Sequence, residues 1–276
     1  MDTSSGSFTS TGVAGLRAAH QLIDGEPKLL RDPVILQLLP SSILDHIRSH
    51  PEDFRQPGVM HLRSHVLLRS RYTEDCLAAA YTRGIRQYLL LGAGLDTYAW
   101  RQAPDRTSLR IFEVDHPATQ AKLAASLAAT GISMPENCQF VPIDFESTTL
   151  SEGLANSSFD FSVPSFISWL GVTVYLTMEA IDAVLAFVAT LPAGTEMVFT
   201  FTQKRAAEGP MALRAAELGE PWITFFSPQE LHEHLEKFGF SSISFLTPEE
   251  ARIHYFPQRT DGLEAPLRTS IARVVV

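Results

Sequence analysis

Short apolar runs alternate with longer amphipathic stretches along the middle of the chain. An apolar run that ends in a glycine, aspartate or proline turn is typical of a buried parallel strand, and the stretches between such runs suit helices. This alternation predicts an α/β fold with a mostly parallel sheet and helices on both faces. The predicted strands are Tyr88–Leu91, Leu109–Val114, Gln139–Ile143, Phe159–Ile167 and Met197–Phe201, and the helices between them are Ala118–Ala129 and Met178–Ala189.

The N-terminal part of the chain has a different pattern. Residues 1–15 are rich in Ser, Thr and Gly, which predicts a mobile arm, and the segment up to Leu68 has helical periodicity that prolines interrupt repeatedly. A helix over Thr73–Arg83, with Thr73 as its N-cap, follows. We therefore expect one structural domain, with an arm and a helical cap or lid over residues 1–70 and the α/β core over residues 71–276.

The C-terminal part predicts one more helix and two strands. Ser227 and Glu230 form a capping-box signature with a proline between them, and Gly239 suits the end of that helix. Phe240–Leu246 and Leu267–Val276 are the last two predicted strands. The proline-containing stretch between them has no clear helical pattern, so we expect an antiparallel pair without an intervening helix.

Composition excludes several classes of partner. The 276 residues include 22 basic and 31 acidic side chains, a net charge of -9, so no basic surface for nucleic acid is indicated. No signal peptide and no apolar run long enough for a membrane span is recognisable, which predicts a cytoplasmic protein without a membrane partner. The two cysteines, Cys76 and Cys138, are far apart, so neither a disulfide framework nor a thiolate metal site is expected.

The residues most suited to binding or catalysis lie at the ends of the predicted strands. Gly92 and Gly94 form a glycine turn after the first strand, Asp115 ends the second, and Asp144 ends the third. Glycines at such a turn let the backbone approach a ligand, although a tight turn without any ligand gives the same pattern. Because the carboxyl ends of parallel strands lie at one edge of a sheet, these residues predict a nucleoside site.

The turn distinguishes between two kinds of nucleotide cofactor. A dinucleotide site requires a small residue where this chain has Thr97, and Asp96 would repel a pyrophosphate. A cationic ligand without phosphates fits better, and S-adenosylmethionine is such a ligand. Asp115 is then placed to accept hydrogen bonds from ribose hydroxyls, and Asp144 with Phe145 to contact adenine.

A set of motifs in this order resembles the leucine carboxyl methyltransferase-like family, which includes many bacterial and fungal small-molecule methyltransferases. The resemblance implies a Rossmann-like class I methyltransferase fold with seven strands, one of them antiparallel, and S-adenosylmethionine as the methyl donor. It also implies that Arg71 holds the methionine carboxylate of the cofactor. The motifs are Arg69-Ser-Arg71-Tyr-Thr-Glu-Asp75, Leu91-Gly-Ala-Gly-Leu-Asp-Thr97, Trp100-Arg101, Glu113-Val-Asp115-His-Pro117, Asp144 and Trp169-Leu-Gly-Val-Thr-Val-Tyr-Leu176. The predicted cofactor-binding residues are Arg71, Gly92, Ala93, Gly94, Asp96, Asp115, His116, Asp144, Phe145 and Leu170.

Two positions depart from the family pattern. Leu170 stands where the protein-phosphatase methyltransferases of this family have a glutamate, which argues against a phosphatase C-terminus as the substrate. Tyr98 replaces the usual family arginine after Leu-Asp-Thr, which changes either the pocket wall or only a surface position.

The residues that contact the methyl acceptor are less clearly marked. A carboxylate acceptor needs no general base, whereas a hydroxyl benefits from one, and His61, His65, His116 and Tyr175 are the candidates. The assignment of a catalytic residue stays open, and no metal is expected because His61 and His65 lack a third ligand. The predicted substrate-binding residues are His61, Trp169 and Tyr175.

The predicted function is S-adenosylmethionine-dependent methylation, by resemblance O-methylation of a carboxylate or hydroxyl on a small molecule such as a natural-product intermediate. A pseudoenzyme that binds the cofactor and scaffolds a partner is one alternative, and an NAD(P)-dependent oxidoreductase is another, disfavoured by Asp96 and Thr97. The sequence identifies neither the acceptor nor the oligomeric state.

Overall fold

The computed structural model describes residues 8–103, 106–144, 148–206, 209–217 and 219–276. The strands, numbered in chain order, are β1 Gln87–Leu91, β2 Arg110–Asp115, β3 Cys138–Pro142, β4 Phe166–Trp169, β5 Glu196–Thr200, β6 Ser242–Phe245 and β7 Ile271–Val275. They form a single seven-stranded sheet in the order β3-β2-β1-β4-β5-β7-β6. β7 is antiparallel to β5 and β6, and the other neighbours are parallel. The mostly parallel α/β architecture and the C-terminal antiparallel pair are therefore confirmed.

Helices cover both faces of this sheet. They are α1 Phe8–Ile23, α2 Ile35–Leu38, α3 Ser41–Ser49, α4 Pro51–Phe54, α5 Pro57–Thr82, α6 Tyr98–Arg101, α7 Pro117–Thr130, α8 Leu150–Ala155, α9 Met178–Ala189, α10 Pro210–Glu217, α11 Pro228–Glu236 and α12 Pro248–Tyr255. Short 3-10 turns lie at Thr173–Tyr175 and Lys204–Ala206. Over the described ranges, no helix combines the length and the apolarity that a membrane crossing requires.

The N-terminal segment is helical where the sequence predicts a mobile arm. α1 begins at Phe8, and Ala14, Ala18 and Ala19 on one of its faces are fully buried in a cluster with residues of α2 and α3. Small side chains allow helices to approach closely, so a face that looks weakly hydrophobic in sequence is sufficient for packing. From residue 8 onwards the segment is thus a packed helix, whereas the sequence predicts an arm that stays mobile until something covers it, and residues 1–7 lie outside the described ranges.

α5 is one continuous helix from Pro57 to Thr82, and the predicted boundary at residue 70 falls inside it. Thr73, expected as an N-cap, lies in the helix interior, where its Oγ1 donates a hydrogen bond to the carbonyl oxygen of Arg69 at 2.7 Å. The N-terminal layer and the α/β core therefore share a rigid element.

Two other predicted elements are corrected. β4 covers Phe166–Trp169, so the predicted strand over Phe159–Ile167 is mostly loop, because Pro164 cannot donate a ladder hydrogen bond. Phe159 nevertheless packs in the core, with its ring 5.4 Å from that of Phe112. A helix, α12, lies between β6 and β7, where none was expected. Its capping box pairs Thr247 with Glu250, the same signature that identifies α11 in the sequence.

The two faces of the sheet have separate hydrophobic clusters. Leu89 and Leu91 of β1 face a cluster that includes residues of α8, α9 and α11, whereas Tyr88 and Leu90 face one that includes residues of α5 and α12. This division follows from the alternation of side chains along a strand. Apolar side chains on both faces of β1 explain why its sequence is a continuous apolar run.

One acidic side chain lies inside this apolar structure. Glu113, in β2 between Leu90 of β1 and Phe140 of β3, is 1% exposed. Neither of its carboxyl oxygens has a hydrogen-bond partner among the described residues. Burial raises the pKa of Glu113 well above its ordinary value, and the nearby carboxylates of Asp96 and Asp115 raise it further. Glu113 therefore holds its proton to a higher pH in the folded chain than in the unfolded chain.

We expect Glu113→Gln to remove a pH dependence of stability. The folded chain retains a proton that the unfolded chain releases above about pH 4.5, so wild-type stability falls as the pH rises from there towards the raised pKa of Glu113. The Gln side chain of the variant does not titrate, so its stability does not fall with pH for this reason. Its free energy of unfolding, measured by urea denaturation and compared with that of the wild type, should improve between about pH 5 and about pH 8. A constant difference across this range would show that Glu113 is ionised in the folded chain.

Candidate functional site

A cavity of about 380 Å³ opens at the carboxyl ends of β1, β2, β3 and β4. α1 and α5 complete its wall with the side chains of Ser10, Val13 and Arg17 from the first helix and Arg69 and Ser70 from the second. It lies where the strand order reverses between β1 and β4, which is the usual ligand site of an open α/β sheet. The predicted cofactor residues that line it are Gly92, Ala93, Gly94, Asp96, Asp115, His116, Asp144 and Leu170.

The turn after β1 depends on its glycines. Gly92 and Gly94 have φ angles of +66° and +56°, in the left-handed region that other residues rarely adopt. A side chain at Gly92 would also collide with Cγ2 of Val172, which follows β4. The turn stays close to the sheet because the Gly92 N–H donates to the carbonyl oxygen of Val114 at 2.9 Å. The backbone is therefore exposed to the cavity without a covering side chain.

Asp115 links the end of β2 to this turn. Its Oδ2 accepts a hydrogen bond from the Gly94 N–H at 2.6 Å, and its Oδ1 accepts one from the His116 N–H at 2.7 Å. Burial raises the pKa of Asp115, and these two hydrogen bonds partly oppose that rise. The Thr119 hydroxyl adds a third hydrogen bond to this carboxylate, which still leaves lone-pair capacity for a ligand. Asp144 ends the neighbouring β3 side of the cavity, whereas Phe145 lies outside the described residues.

Two arginines that are close in sequence occupy opposite environments. Arg69 lines the cavity, and its guanidinium packs against Gly171, where a Cβ would lie 2.6 Å from Nη1. Arg71 does not line the cavity. Its Nε donates to Asp75 at 3.0 Å and 3.1 Å, and it borders a separate pocket with Tyr255. Residues two positions apart on a helix point about 200° apart, so only one of the pair can face the sheet edge. The structure therefore corrects the placement of Arg71 in the cofactor cavity.

The guanidinium of Arg69 is an unpaired charge. Across the described part of the chain, no hydrogen bond or ion pair to this guanidinium is found. Burial lowers the pKa of Arg69 to about 10, with Tyr175 and Asp96 opposing the shift and Arg17 adding to it. Arg69 thus remains cationic at neutral pH, and a half-buried cation without a hydrogen-bonded carboxylate among the described residues favours an anionic ligand.

Opposite charges therefore meet in one cavity. Asp96 lines the same wall, and its Oδ1 accepts the Tyr98 N–H at 2.6 Å while the carboxylate borders the cavity. A guanidinium beside a carboxylate suits the carboxylate and ammonium of an amino acid, and Asp115 suits vicinal hydroxyls. This combination fits the parts of S-adenosylmethionine.

The predicted substrate residues are separated by the structure. Tyr175 lines the cavity from the 3-10 turn after β4, close enough to Arg69 to influence its pKa. Trp169 is 1% exposed and packs on Phe199, because it points to the opposite face of β4 from Ser168, which lines the cavity. His61 is exposed on α5 and does not border the cavity. The structure thus corrects the placement of Trp169 and His61.

The other candidate bases are restricted by their surroundings. Burial lowers the pKa of His65 to about 3, and the positive charge of Arg69 and the neighbouring His61 contribute, so this imidazole is neutral at physiological pH. His116 lines the cavity, but its Nδ1 accepts the Ala118 N–H at 3.2 Å as the N-cap of α7. That contact fixes the orientation of the ring and its tautomer: Nδ1 is the acceptor, so the neutral ring carries its proton on Nε2 and can only donate there.

Comparison with known proteins agrees with this geometry. The family model described as leucine carboxyl methyltransferase matches residues 10–189. YktD of Bacillus subtilis (strain 168), named as a proposed S-adenosyl-L-methionine-dependent methyltransferase, is 32% identical over 233 residues, covering 81% of this chain and 76% of that protein. A similarly named protein of Streptomyces coelicolor, SCO7813, is 30% identical over 232 residues, covering 78% of this chain and 76% of that protein.

Two solved structures share the fold. The structure of a proposed methyltransferase from Thermobifida fusca YX has a TM-score of 0.56 at 20% identity, covering 99% of this chain and 95% of that one. A DUF574 family protein from Streptomyces avermitilis has a TM-score of 0.54 at 20% identity, covering 94% and 95%. The chain belongs to the leucine carboxyl methyltransferase family and is an S-adenosylmethionine-dependent methyltransferase.

Proposed function

We propose that this methyltransferase transfers the methyl group of S-adenosylmethionine to an oxygen atom, a carboxylate or a hydroxyl, of a small molecule such as a natural-product intermediate. The observation that carries the cofactor half of this proposal is the unpaired guanidinium of Arg69 in the same cavity as the carboxylates of Asp96 and Asp115. The family resemblance and the shape of the cavity support the acceptor half.

Each end of the cofactor has a matching group. Arg69, in place of Arg71, holds the methionine carboxylate, because a guanidinium can form two parallel hydrogen bonds to it. The carboxylate of Asp96 balances the charge of the ammonium group. Leu170, another predicted cofactor residue at the cavity, is apolar and cannot do so. Asp115 accepts a hydrogen bond from the ribose with its remaining lone-pair capacity, and Asp144 contacts adenine.

The cavity offers the methyl acceptor less space and fewer polar contacts than it offers the cofactor. Bound S-adenosylmethionine supplies an electrophilic methyl group, whose transfer requires a nucleophile held in line with the carbon–sulfur bond. A cavity of about 380 Å³ lies near the lower end of the range for a single small ligand, so the acceptor is small or reaches the site through its opening. Tyr175 is placed to orient the acceptor oxygen, and Leu170 and Val172 provide apolar wall.

The choice of acceptor atom decides whether a base is needed. A carboxylate is ionised at neutral pH and reacts directly, so orientation and exclusion of water are sufficient. A hydroxyl acceptor needs a group that receives its proton. The neutral His116 ring cannot do so at Nε2, because that nitrogen carries the ring proton when Nδ1 accepts the Ala118 N–H, so the Tyr175 hydroxyl is the sequence-predicted group at the cavity that can relay a proton.

We expect S-adenosylhomocysteine to bind the purified chain with micromolar affinity in isothermal titration calorimetry, whereas NADH should not bind. The cavity offers a carboxylate site and a ribose site but no site for a pyrophosphate. A panel of carboxylic acids and phenols, incubated with S-adenosylmethionine, should then yield a methyl ester or ether by mass spectrometry. Binding without any product would favour the non-catalytic, cofactor-binding alternative, and preferential binding of NADH would contradict the cofactor assignment.

We expect Arg69→Met to weaken S-adenosylhomocysteine binding by about 10- to 100-fold, because a hydrogen bond to a charged group contributes about 1.5–3 kcal/mol. Arg71→Met is the matched control, two residues away on α5, and should change the affinity less than about twofold because Arg71 pairs with Asp75 outside the cavity. Adenosine, which lacks the methionine end, should bind both variants like the wild type. A larger loss of affinity in Arg71→Met than in Arg69→Met would instead support Arg71 as the residue that holds the methionine carboxylate.

A further inference from the structure

The helix α1 forms part of the cofactor cavity. Ser10, Val13 and Arg17 share one face of the helix and line the cavity. A Cβ at Gly94 would lie 3.5 Å from Cβ of Ser10, so this face rests against the glycine turn. The sequence suggests no such role for α1, because the rest of the N-terminal layer lies between α1 and the turn along the chain.

The side chain of Arg17 reaches across this contact. It is 5% exposed, and its Nη1 donates to the carbonyl oxygen of Leu95 at 2.8 Å. Its Nη2 donates to Oγ1 of Thr97 at 2.7 Å, and its Nε donates to Oδ2 of Asp32 at 2.9 Å. All three nitrogens of the Arg17 guanidinium thus donate to protein acceptors, whereas the guanidinium of Arg69 has no such acceptor within the described ranges.

The partners of Arg17 form a buried network. Asp32 and Thr97 are both 0% exposed, and Thr97 Oγ1 donates to Asp32 Oδ1 at 2.8 Å. Arg101 of α6 donates from Nε to Thr97 Oγ1 at 2.7 Å and from Nη2 to Glu74 of α5 at 2.6 Å. Burial alone would raise the pKa of Asp32, but Arg17 and Arg101 outweigh it and keep the carboxylate ionised. The network therefore ties α1, α5 and α6 to the segment that follows the glycine turn.

Leu95 is the critical partner because of its position. Its carbonyl lies between Gly94 and Asp96, both of which line the cavity. Because Gly94 has unusual backbone freedom, the turn needs an external contact to keep one conformation. A hydrogen bond from a fixed guanidinium to the next carbonyl supplies that contact.

We propose that Arg17 is a positioning residue of the cofactor site, which holds the Leu95 carbonyl and Thr97 so that the glycine turn and Asp96 keep their binding geometry. The inference rests on the proposed cofactor arrangement and extends it, because it adds α1 to the cofactor site. Arg17 acts through the turn and not by contact with the reacting atoms.

The chain provides a matched control in the same layer. Arg63 of α5 is 0% exposed and pairs with Asp24 through Nε and Nη2, both at 2.9 Å, and its Nη1 donates to the carbonyl oxygen of Phe54 at 2.5 Å. It is thus a buried arginine with an aspartate and a carbonyl as partners, like Arg17, but it does not line the cavity. Loss of either arginine leaves a buried aspartate with a lost partner.

The experiment compares Arg17→Met with Arg63→Met in the full chain. Both variants should have a lower Tm, because each breaks a buried ion pair. The Kd for S-adenosylhomocysteine, measured by calorimetry below both unfolding transitions, should rise about tenfold for Arg17→Met and less than about twofold for Arg63→Met. Arg17→Lys keeps the positive charge, but a lysine cannot donate to all three acceptors at once. Its affinity for S-adenosylhomocysteine should therefore stay below that of the wild type. Equal losses in both Met variants, or an unchanged Kd in Arg17→Met, would overturn the proposal.

Two further measurements separate the possible failures. Amide hydrogen exchange without ligand should be faster over residues 92–97 in Arg17→Met but not in Arg63→Met, and equal exchange there would also refute the role. If Arg17→Met does not fold, Thr97→Val, which removes the hydroxyl without changing the shape, should show the same loss of affinity. Failure of the wild type to bind S-adenosylhomocysteine would refute the proposed function and this inference, whereas a wild type that binds and an Arg17→Met that binds equally would refute this inference alone.

Discussion

The reversal of strand order between β1 and β4 is the constraint on which the site depends. Crossovers on either side of this point run to opposite faces of the sheet, so the carboxyl ends of the two strands are left with a crevice between them. Asp115 is the last residue of β2, and the glycine turn and Asp144 follow the ends of β1 and β3 at the same edge. Their convergence thus follows from topology, and no long-range side-chain contact is needed to bring them together.

Buried charges divide into two groups around that crevice. Arg17 with Asp32 and Arg63 with Asp24 are paired within the protein, so the cost of burying each charge is offset by a fixed partner. Arg69 has no such partner among the residues that the structure describes, and Glu113 avoids the cost by holding its proton. The paired groups connect helices, whereas the unpaired guanidinium lines the cavity. A charge that the fold leaves unbalanced is available to a ligand.

The N-terminal layer reaches the cavity through Arg17, whereas Arg63 with Asp24 does not line it. α5 joins the layer to the core as one continuous helix, and the network around Thr97 joins α1 to the glycine turn. Asp115 holds the same turn from the sheet side, through the Gly94 N–H. A turn made flexible by its glycines is thereby fixed from two directions, which allows the backbone to remain bare towards a ligand without losing its conformation.

The sequence by itself determined the parallel sheet, the glycine turn and the carboxylates at the ends of β2 and β3, because each is encoded locally by an apolar run followed by a turn residue. It did not locate α12, although Thr247 and Glu250 carry a recognisable capping box. Only the tertiary structure decided between Arg69 and Arg71, turned Trp169 into the core, left His61 at the surface and brought α1 to the cavity. These outcomes depend on where α5 begins, on which face of β4 is covered, and on contacts such as Arg17 with Leu95. Local periodicity carries no information about partners that are distant along the chain, so packing alone could settle them.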